Sequence, residues 1–144
     1  MVEQFIGGSE YTVTIWGNGS DAQCIDINKE DFKDPHVSTI FTETTKFDYS
    51  SAEAKNTISS VVQDDGIIKR LTKTALSAYN VLGFNDYGVF EYRQGKDEVY
   101  IIDCNPNQFL GLDAILFEAS KKFSLNHGET ILQICEFAVK RNIA

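Results

Sequence analysis

The stretch GVFEYRQGKDEVYIIDCNPN, residues 88–107, decides the fold, because it holds two strand-like runs separated by a short polar turn. Both runs are rich in β-branched and aromatic residues, which predicts an antiparallel hairpin. If the loop centres on Asp97, Glu91 and Asp103 lie directly opposite each other. Side chains alternate faces along a strand. Each acid therefore shares its face with the residues two positions away, which are Val89, Arg93, Ile101 and Asn105.

The pairing of Glu91 with Asp103 is the first functional signal. Two carboxylates side by side repel each other, and burying them without a counter-ion is costly. A hard divalent cation such as Mg²⁺ resolves the conflict, since it prefers oxygen ligands and is often shared with phosphate. The hairpin therefore indicates a metal–nucleotide site, and the alternative is a solvated hairpin face with two ordinary acids.

Size and composition narrow the class of protein. A chain of 144 residues suits one domain that can bury a real core. The net charge of −8 and the lack of a basic cluster argue against nucleic acid as the main partner. No apolar run is long enough to span a membrane. Three cysteines without metal-ligand spacing are typical of reduced thiols, so we expect a cytoplasmic protein.

The remaining elements follow from periodicity. Residues 10–16 and 22–28 predict a second hairpin, 29–38 a loop, 38–42 a short strand, and 46–60 a polar, mobile segment. Helices are predicted over residues 64–82 and 113–123, and a third begins at the capping box of Asn126 and Glu129. Its buried side is predicted to contain Ile131, Leu132, Cys135 and Val139. The order of elements indicates an α+β fold with an antiparallel sheet flanked by helices. Neither a dinucleotide fingerprint nor a P-loop is present.

The segment EQFIGGSEYTV, residues 3–13, adds a family resemblance. It consists of an acid, an apolar pair, a glycine turn, a second acid and a strand. This segment and the acid-bearing hairpin with its Asn105-Pro106 together resemble the motifs of the ATP-grasp superfamily. The resemblance is greatest to its D-alanine–D-alanine ligase-like branch. The resemblance covers nearly the whole chain and implies that residues 1–144 form a single C-terminal ATP-binding lobe. The preceding substrate domain and N-terminal ATP lobe are then expected from a missing segment or from a partner chain.

The resemblance also implies roles for the residues of the first segment. Gln4, Phe5 and Ile6 would line the adenine pocket. Glu10 would accept hydrogen bonds from the ribose hydroxyls, which suits an ionised carboxylate. Glu3 is the first acid of the same hinge.

The metal and phosphate groups are implied in the same way. Glu91, Asp103 and Asn105 would hold one or two Mg²⁺ (or Mn²⁺) ions that bridge the phosphates of ATP. Arg93 would neutralise phosphate or orient the acids. Phe47-Asp48-Tyr49 and Glu53-Ala54-Lys55 are similar to a ligase segment, which would place Lys55 on a mobile loop over the phosphates. A solvated loop lysine is the alternative.

The implied reaction is phosphorylation of a small carboxylate by Mg·ATP, followed by attack of an amine on the acyl phosphate. Two of the departures from the usual pattern concern residues of the site. Glu91 precedes Asp103, where the superfamily commonly has Asp first, and Val89 occupies the place of an Arg in dipeptide-forming relatives. The alternative is therefore a catalytically degenerate lobe that acts as a nucleotide-binding or protein-interaction module. A half-cleft lined by Phe5 and its neighbours also predicts self-association into a homo-oligomer.

Overall fold

The computed structural model describes residues 2–37, 39, 40, 42, 44, 45 and 48–143. Its sheet contains five strands, which are β1 (Glu10–Trp16), β2 (Gln23–Phe32), β3 (Thr57–Val61), β4 (Tyr87–Gln94) and β5 (Val99–Asn105). The helices that accompany them among the described residues include α1 (Ala52–Asn56), α2 (Asp65–Val81), α3 (Ile115–Ser120) and α4 (His127–Ile143). The strand order is β3-β2-β1-β4-β5, and every neighbouring pair is antiparallel. The predicted α+β class with an antiparallel sheet is confirmed.

The main core lies between α2 and one face of the sheet. Alternate residues of β1 and β4 point to this face, because β1 pairs with β4 in a regular antiparallel register. Asp64 caps α2 by accepting hydrogen bonds from the amides of Gly66 and Ile67. The fully enclosed side chains of this core are Val13, Ile15, Leu71, Ala75, Tyr79 and Phe90.

A smaller core covers only one end of the opposite face. Trp16, which ends β1, packs with Leu116 and Ala119 of α3. Phe137 of α4 contacts the same Trp16 ring, with 5.7 Å between ring centroids. This face carries the even-numbered residues of β1, and at its other end Glu10 lies in a cleft that Ile115, the first residue of α3, also lines. The helix pair therefore determines where a cleft can form.

The segment after β2 corrects the sequence interpretation. Residues 29–32 continue β2 rather than forming a loop, and residues 52–61 form α1 and β3 rather than a mobile tract. Strand β3 pairs with β2 across a sequence separation that no local pattern reveals. The predicted strand at 38–42 is wrong for its described residues 39, 40 and 42, and Ser38 and Phe41 lie outside the described residues.

Helix α4 begins as predicted but presents a different face to the core. The amide of Asn126 donates to Glu129, and the amide of Glu129 donates to the Asn126 side chain, which confirms the capping box. The predicted buried side is wrong at its three exposed members, Leu132, Cys135 and Val139. Ile134 and Phe137 pack on the smaller core instead. No helix among the described residues is long and apolar enough to cross a membrane.

Candidate functional site

The acid-bearing hairpin has the predicted central pairing. Glu91 and Asp103 are direct partners in the register of β4 and β5, and Asn105 lies opposite Val89 on the same face. The register shifts between Glu91 and Tyr92, so one residue of β5 is left without a partner. Ile101 consequently pairs with Tyr92 and belongs to the opposite face, which corrects its predicted place beside Asp103.

Glu91 contributes to a cleft on the open end of the sheet face. The cleft has a volume of about 220 Å³ and is lined by Glu10, Thr12, Glu30, Val89, Glu91, Gln108 and Ile115. Small-molecule sites usually occupy roughly 300 Å³ or more. The cleft can therefore enclose part of a nucleotide. Three of its seven lining residues are acids, so an anionic ligand would need a cation beside it.

The donor set fits a cation shared with phosphate better than a metal held by protein alone. Among the described residues, no group of three or more His, Cys, Asp or Glu side chains could hold a metal. The hairpin offers two carboxylates and an amide oxygen. Mg²⁺ commonly takes one or two carboxylates and completes its octahedron with phosphates and water. Asn105 Oδ1 accepts the amide of Asn107 at 3.0 Å, so its direction is set by the turn and a second lone pair remains.

Residues 3–6 differ in exposure and in whether they line a cleft. Phe5 is 59% exposed and lines a second cleft of about 420 Å³, together with residues that include Gly8, Phe32 and Thr39. Ile6 is half-buried, and Glu3 and Gln4 are exposed. The structure thus brings Phe5, but not Gln4 or Ile6, to the lining of this cleft.

Arg93 joins the two clefts. It is 4% exposed, and its guanidinium forms an ion pair with Glu10, which is itself 7% exposed. It donates to the carbonyl of Thr39 at 2.7 Å from both Nη1 and Nη2, and to the carbonyl of Gly8 at 3.2 Å. Its Cζ lies 5.2 Å from the centroid of the Phe5 ring. The Phe32 ring lies 5.4 Å from the same Cζ, so Arg93 contacts Glu10 of one cleft and four lining residues of the other.

Lys55 lies away from these groups. It is exposed on α1, and its carbonyl accepts a hydrogen bond from Lys33 Nζ at 2.6 Å. The helix begins at Ser51, whose hydroxyl accepts the amide of Ala54 at 3.1 Å. Lys55 lines neither cleft. Phe47 of the same predicted motif lies outside the described residues.

Glu30 is a residue of this site that the sequence did not indicate. It lies directly opposite Glu10 on β2 and lines the cleft with Glu91. Burial raises the pKa of the Glu30 carboxyl; a hydrogen bond from Ser59 lowers it in part, and the charge of Glu10 raises it further. Glu30 falls in the tract predicted as a loop, so no strand alternation pointed to it. Only the pairing of β2 with β1 places Glu30 beside Glu10.

Comparison with known proteins agrees with this architecture. The chain is 22% identical over 138 residues to a D-alanine–D-alanine ligase of Bordetella avium, covering 93% of this chain and 40% of the ligase. A D-alanine–D-alanine ligase from Bacillus anthracis, solved in complex with ATP, matches 96% of this chain with a TM-score of 0.70 and 16% identity. The alignment covers 40% of that ligase. The corresponding ligase from Coxiella burnetii gives a TM-score of 0.68 at 16% identity, over 96% of this chain and 34% of its own. No family model matches the chain.

The fold is therefore the one found in the matching part of these ligases, with a five-stranded antiparallel sheet and flanking helices. The chain resembles the D-alanine–D-alanine ligases over nearly its whole length, and the resemblance predicted from its motifs is confirmed at this level. The chain spans 40% of the length of the curated relative that it matches.

Proposed function

We propose that this chain is the C-terminal ATP-binding lobe of an ATP-dependent carboxylate–amine ligase. The observation that carries the proposal is the direct pairing of Glu91 with Asp103 beside the cleft that also contains Glu10. A metal ion, when bound there, would neutralise phosphate oxygens and favour phosphoryl transfer to a carboxylate. The binding sites for the small carboxylate and amine substrates would lie on preceding lobes, from the same polypeptide or a partner chain.

Each residue has a role in this proposal. Glu91, Asp103 and Asn105 would supply the oxygen ligands of Mg²⁺ or Mn²⁺, and Glu10 would accept hydrogen bonds from the ribose. The hinge, residues 3–6, would border the adenine. Lys55 would approach the terminal phosphate after movement of the segment that contains α1. The cell compartment that fits the reduced cysteines is the cytoplasm.

A degenerate nucleotide-binding lobe is the second candidate. Val89 lies opposite Asn105 and lines the cleft, and this apolar side chain cannot donate a hydrogen bond to a reacting acyl group. This feature favours retention of nucleotide contacts over efficient turnover.

Calorimetric titration with ATP tests the proposal. The wild-type chain should bind ATP more tightly with Mg²⁺ than without it. The variant Glu91→Ala/Asp103→Ala should lose this metal dependence, with affinity for Mg·ATP falling at least tenfold. The matched control is Asp97→Ala/Glu98→Ala, which removes two exposed acids from the loop of the same hairpin and should bind like wild type.

Three outcomes separate the candidates. Metal-dependent binding that is lost only in the strand variant supports the ligase lobe. Binding that is independent of metal in every variant supports the degenerate lobe. An absence of ATP binding in the wild-type chain contradicts both.

A further inference from the structure

Arg93 is one of the most enclosed charged side chains in the described part of the chain. Its ion pair with Glu10 is formed by side chains that are 5% and 10% exposed. Hydrogen bonds between ionised partners in such surroundings are strong, and removal of one partner leaves an uncompensated charge. The pair joins residues 83 positions apart in the sequence. Arg93 therefore fixes the start of β1 against β4.

The remaining donors of Arg93 hold two other segments. The carbonyl of Gly8 belongs to the glycine turn before β1, and the carbonyl of Thr39 belongs to the connection after β2. The rings of Phe5 and Phe32 lie 5.2 and 5.4 Å from its Cζ, within the range of a cation–π contact. The hinge and the connecting segment consequently meet at one guanidinium.

Glu10 is constrained on one side only. Oε1 accepts the hydrogen bond from Arg93, and Oε2 has no hydrogen-bond partner within the described part of the chain. Glu10 lines the cleft that Glu91 also lines, and Glu30 lies directly across from it on β2. Two opposed carboxylates repel each other, so the cation on the other side of Glu10 determines where its carboxylate rests.

The described residues leave one donor of Arg93 unused. Its Nε is buried and has no hydrogen-bond partner among the residues described. A buried donor without a partner is unfavourable by about as much as a lost hydrogen bond.

We propose that Arg93 is a positioning residue for nucleotide recognition: it holds the Glu10 carboxylate through Oε1 so that Oε2 is presented to the ribose hydroxyls. The inference rests on the proposed function, since it requires that the cleft takes ATP. It also reassigns Arg93, because a guanidinium bound to Glu10, Gly8 and Thr39 is not available to a phosphate.

Discrimination between ATP and 2′-deoxyATP tests this role. Loss of one hydrogen bond to a charged group weakens binding by about tenfold or more, so wild type should prefer ATP by that factor. Arg93→Met should reduce the preference to near one by weakening ATP more than 2′-deoxyATP. Glu10→Gln/Arg93→Met should lower the preference no further than Arg93→Met alone.

Arg93→Lys keeps the positive charge beside Glu10, so it provides a second test if Arg93→Met does not fold. A single ammonium cannot hold Glu10 and both carbonyls in the fixed geometry of a guanidinium, so the preference should fall to an intermediate value. Circular dichroism confirms that each variant is folded. Arg70→Met is the matched control: Arg70 is exposed on α2, bonds one backbone carbonyl, and should leave the preference unchanged.

The outcomes distinguish the two proposals. If Arg93→Lys is folded and weakens ATP and 2′-deoxyATP equally, Arg93 is only structural; the inference is then overturned and the proposed function stands. A wild-type chain that binds both nucleotides with equal affinity also overturns the inference alone. A wild-type chain that binds neither nucleotide overturns the proposed function and the inference together.

Discussion

A matched pair of leucine truncations tests how the helices face the sheet. Leu71 lies in α2 and is 0% exposed, whereas Leu132 lies in α4 and is 64% exposed. Both helices contain 17 residues, and both changes replace Leu by Ala. Differences in intrinsic helix propensity therefore nearly cancel between the two variants.

The expected magnitudes follow from burial. Full burial of a leucine side chain is worth about 2 kcal/mol, and the cavity left by truncation adds about 1–2 kcal/mol in a packed site. Leu71→Ala should therefore lower the free energy of unfolding by about 3–4 kcal/mol. About a third of Leu132 is buried and no closed cavity can form at its exposed face, so Leu132→Ala should lower it by about 0.7 kcal/mol.

Urea unfolding followed by far-UV circular dichroism measures both values. The transitions should have equal slopes, because neither substitution changes the surface exposed on unfolding by much. Equal losses for the two variants would refute the packing described for α4 and restore the face predicted from periodicity. A loss below about 1.5 kcal/mol for Leu71→Ala would refute its place in the centre of the core.

Three further substitutions probe local features. Tyr79→Phe removes a buried hydrogen bond of 2.8 Å to a backbone carbonyl and should lower stability by about 1–2 kcal/mol in urea unfolding. Burial raises the pKa of Tyr79 above its usual 10.0, so its contribution is full below about pH 10 and declines above it; Tyr79→Phe should flatten this alkaline loss. Gly88→Ala would place a Cβ 2.7 Å from the Phe84 ring and should lower stability by about 1–3 kcal/mol, measured by urea unfolding, whereas Gly7→Ala meets no atom closer than 4.0 Å. Asn126→Ala removes the cap of α4 and should lower stability by about 1 kcal/mol, measured in the same way.

These three predictions can each fail in a distinct way. If Tyr79→Phe loses stability at alkaline pH as wild type does, a group other than Tyr79 causes that loss. Equal stability of the Gly88→Ala and Gly7→Ala variants would contradict the close approach of the Phe84 ring. Full stability in Asn126→Ala would show that the first turn of α4 does not depend on its cap.

Local sequence patterns were sufficient to predict much of the fold. The hairpin around Asp97, the extent of α2 and the capping box at Asn126 were predicted because strand alternation, helical spacing and side-chain caps act between near neighbours. The direct pairing of Glu91 with Asp103 followed from the same hairpin geometry. The roles of these residues as metal ligands stay predictions.

The errors in the predicted structure arose where distant segments of the chain pair or pack together. Residues 57–61 lie at the end of the polar tract that was predicted to be mobile, yet they pair with β2 because that strand extends to Phe32 and offers an open edge. The face of α4 is set by where Trp16 ends β1, which the helix sequence does not encode. Glu30 entered the candidate site for the same reason, through the register of β2 against β1.

The α+β class, the resemblance to ATP-grasp ligases and the pair of acids on one hairpin could all be predicted from local sequence patterns. Only the tertiary structure decided that Arg93 pairs with Glu10, that Glu30 faces the same cleft and that α3 and α4 cover one end of the sheet face. The physical reason is the range of the interactions. Hairpins and caps form within a few residues, whereas a buried ion pair across 83 residues exists only once the strands have been placed side by side.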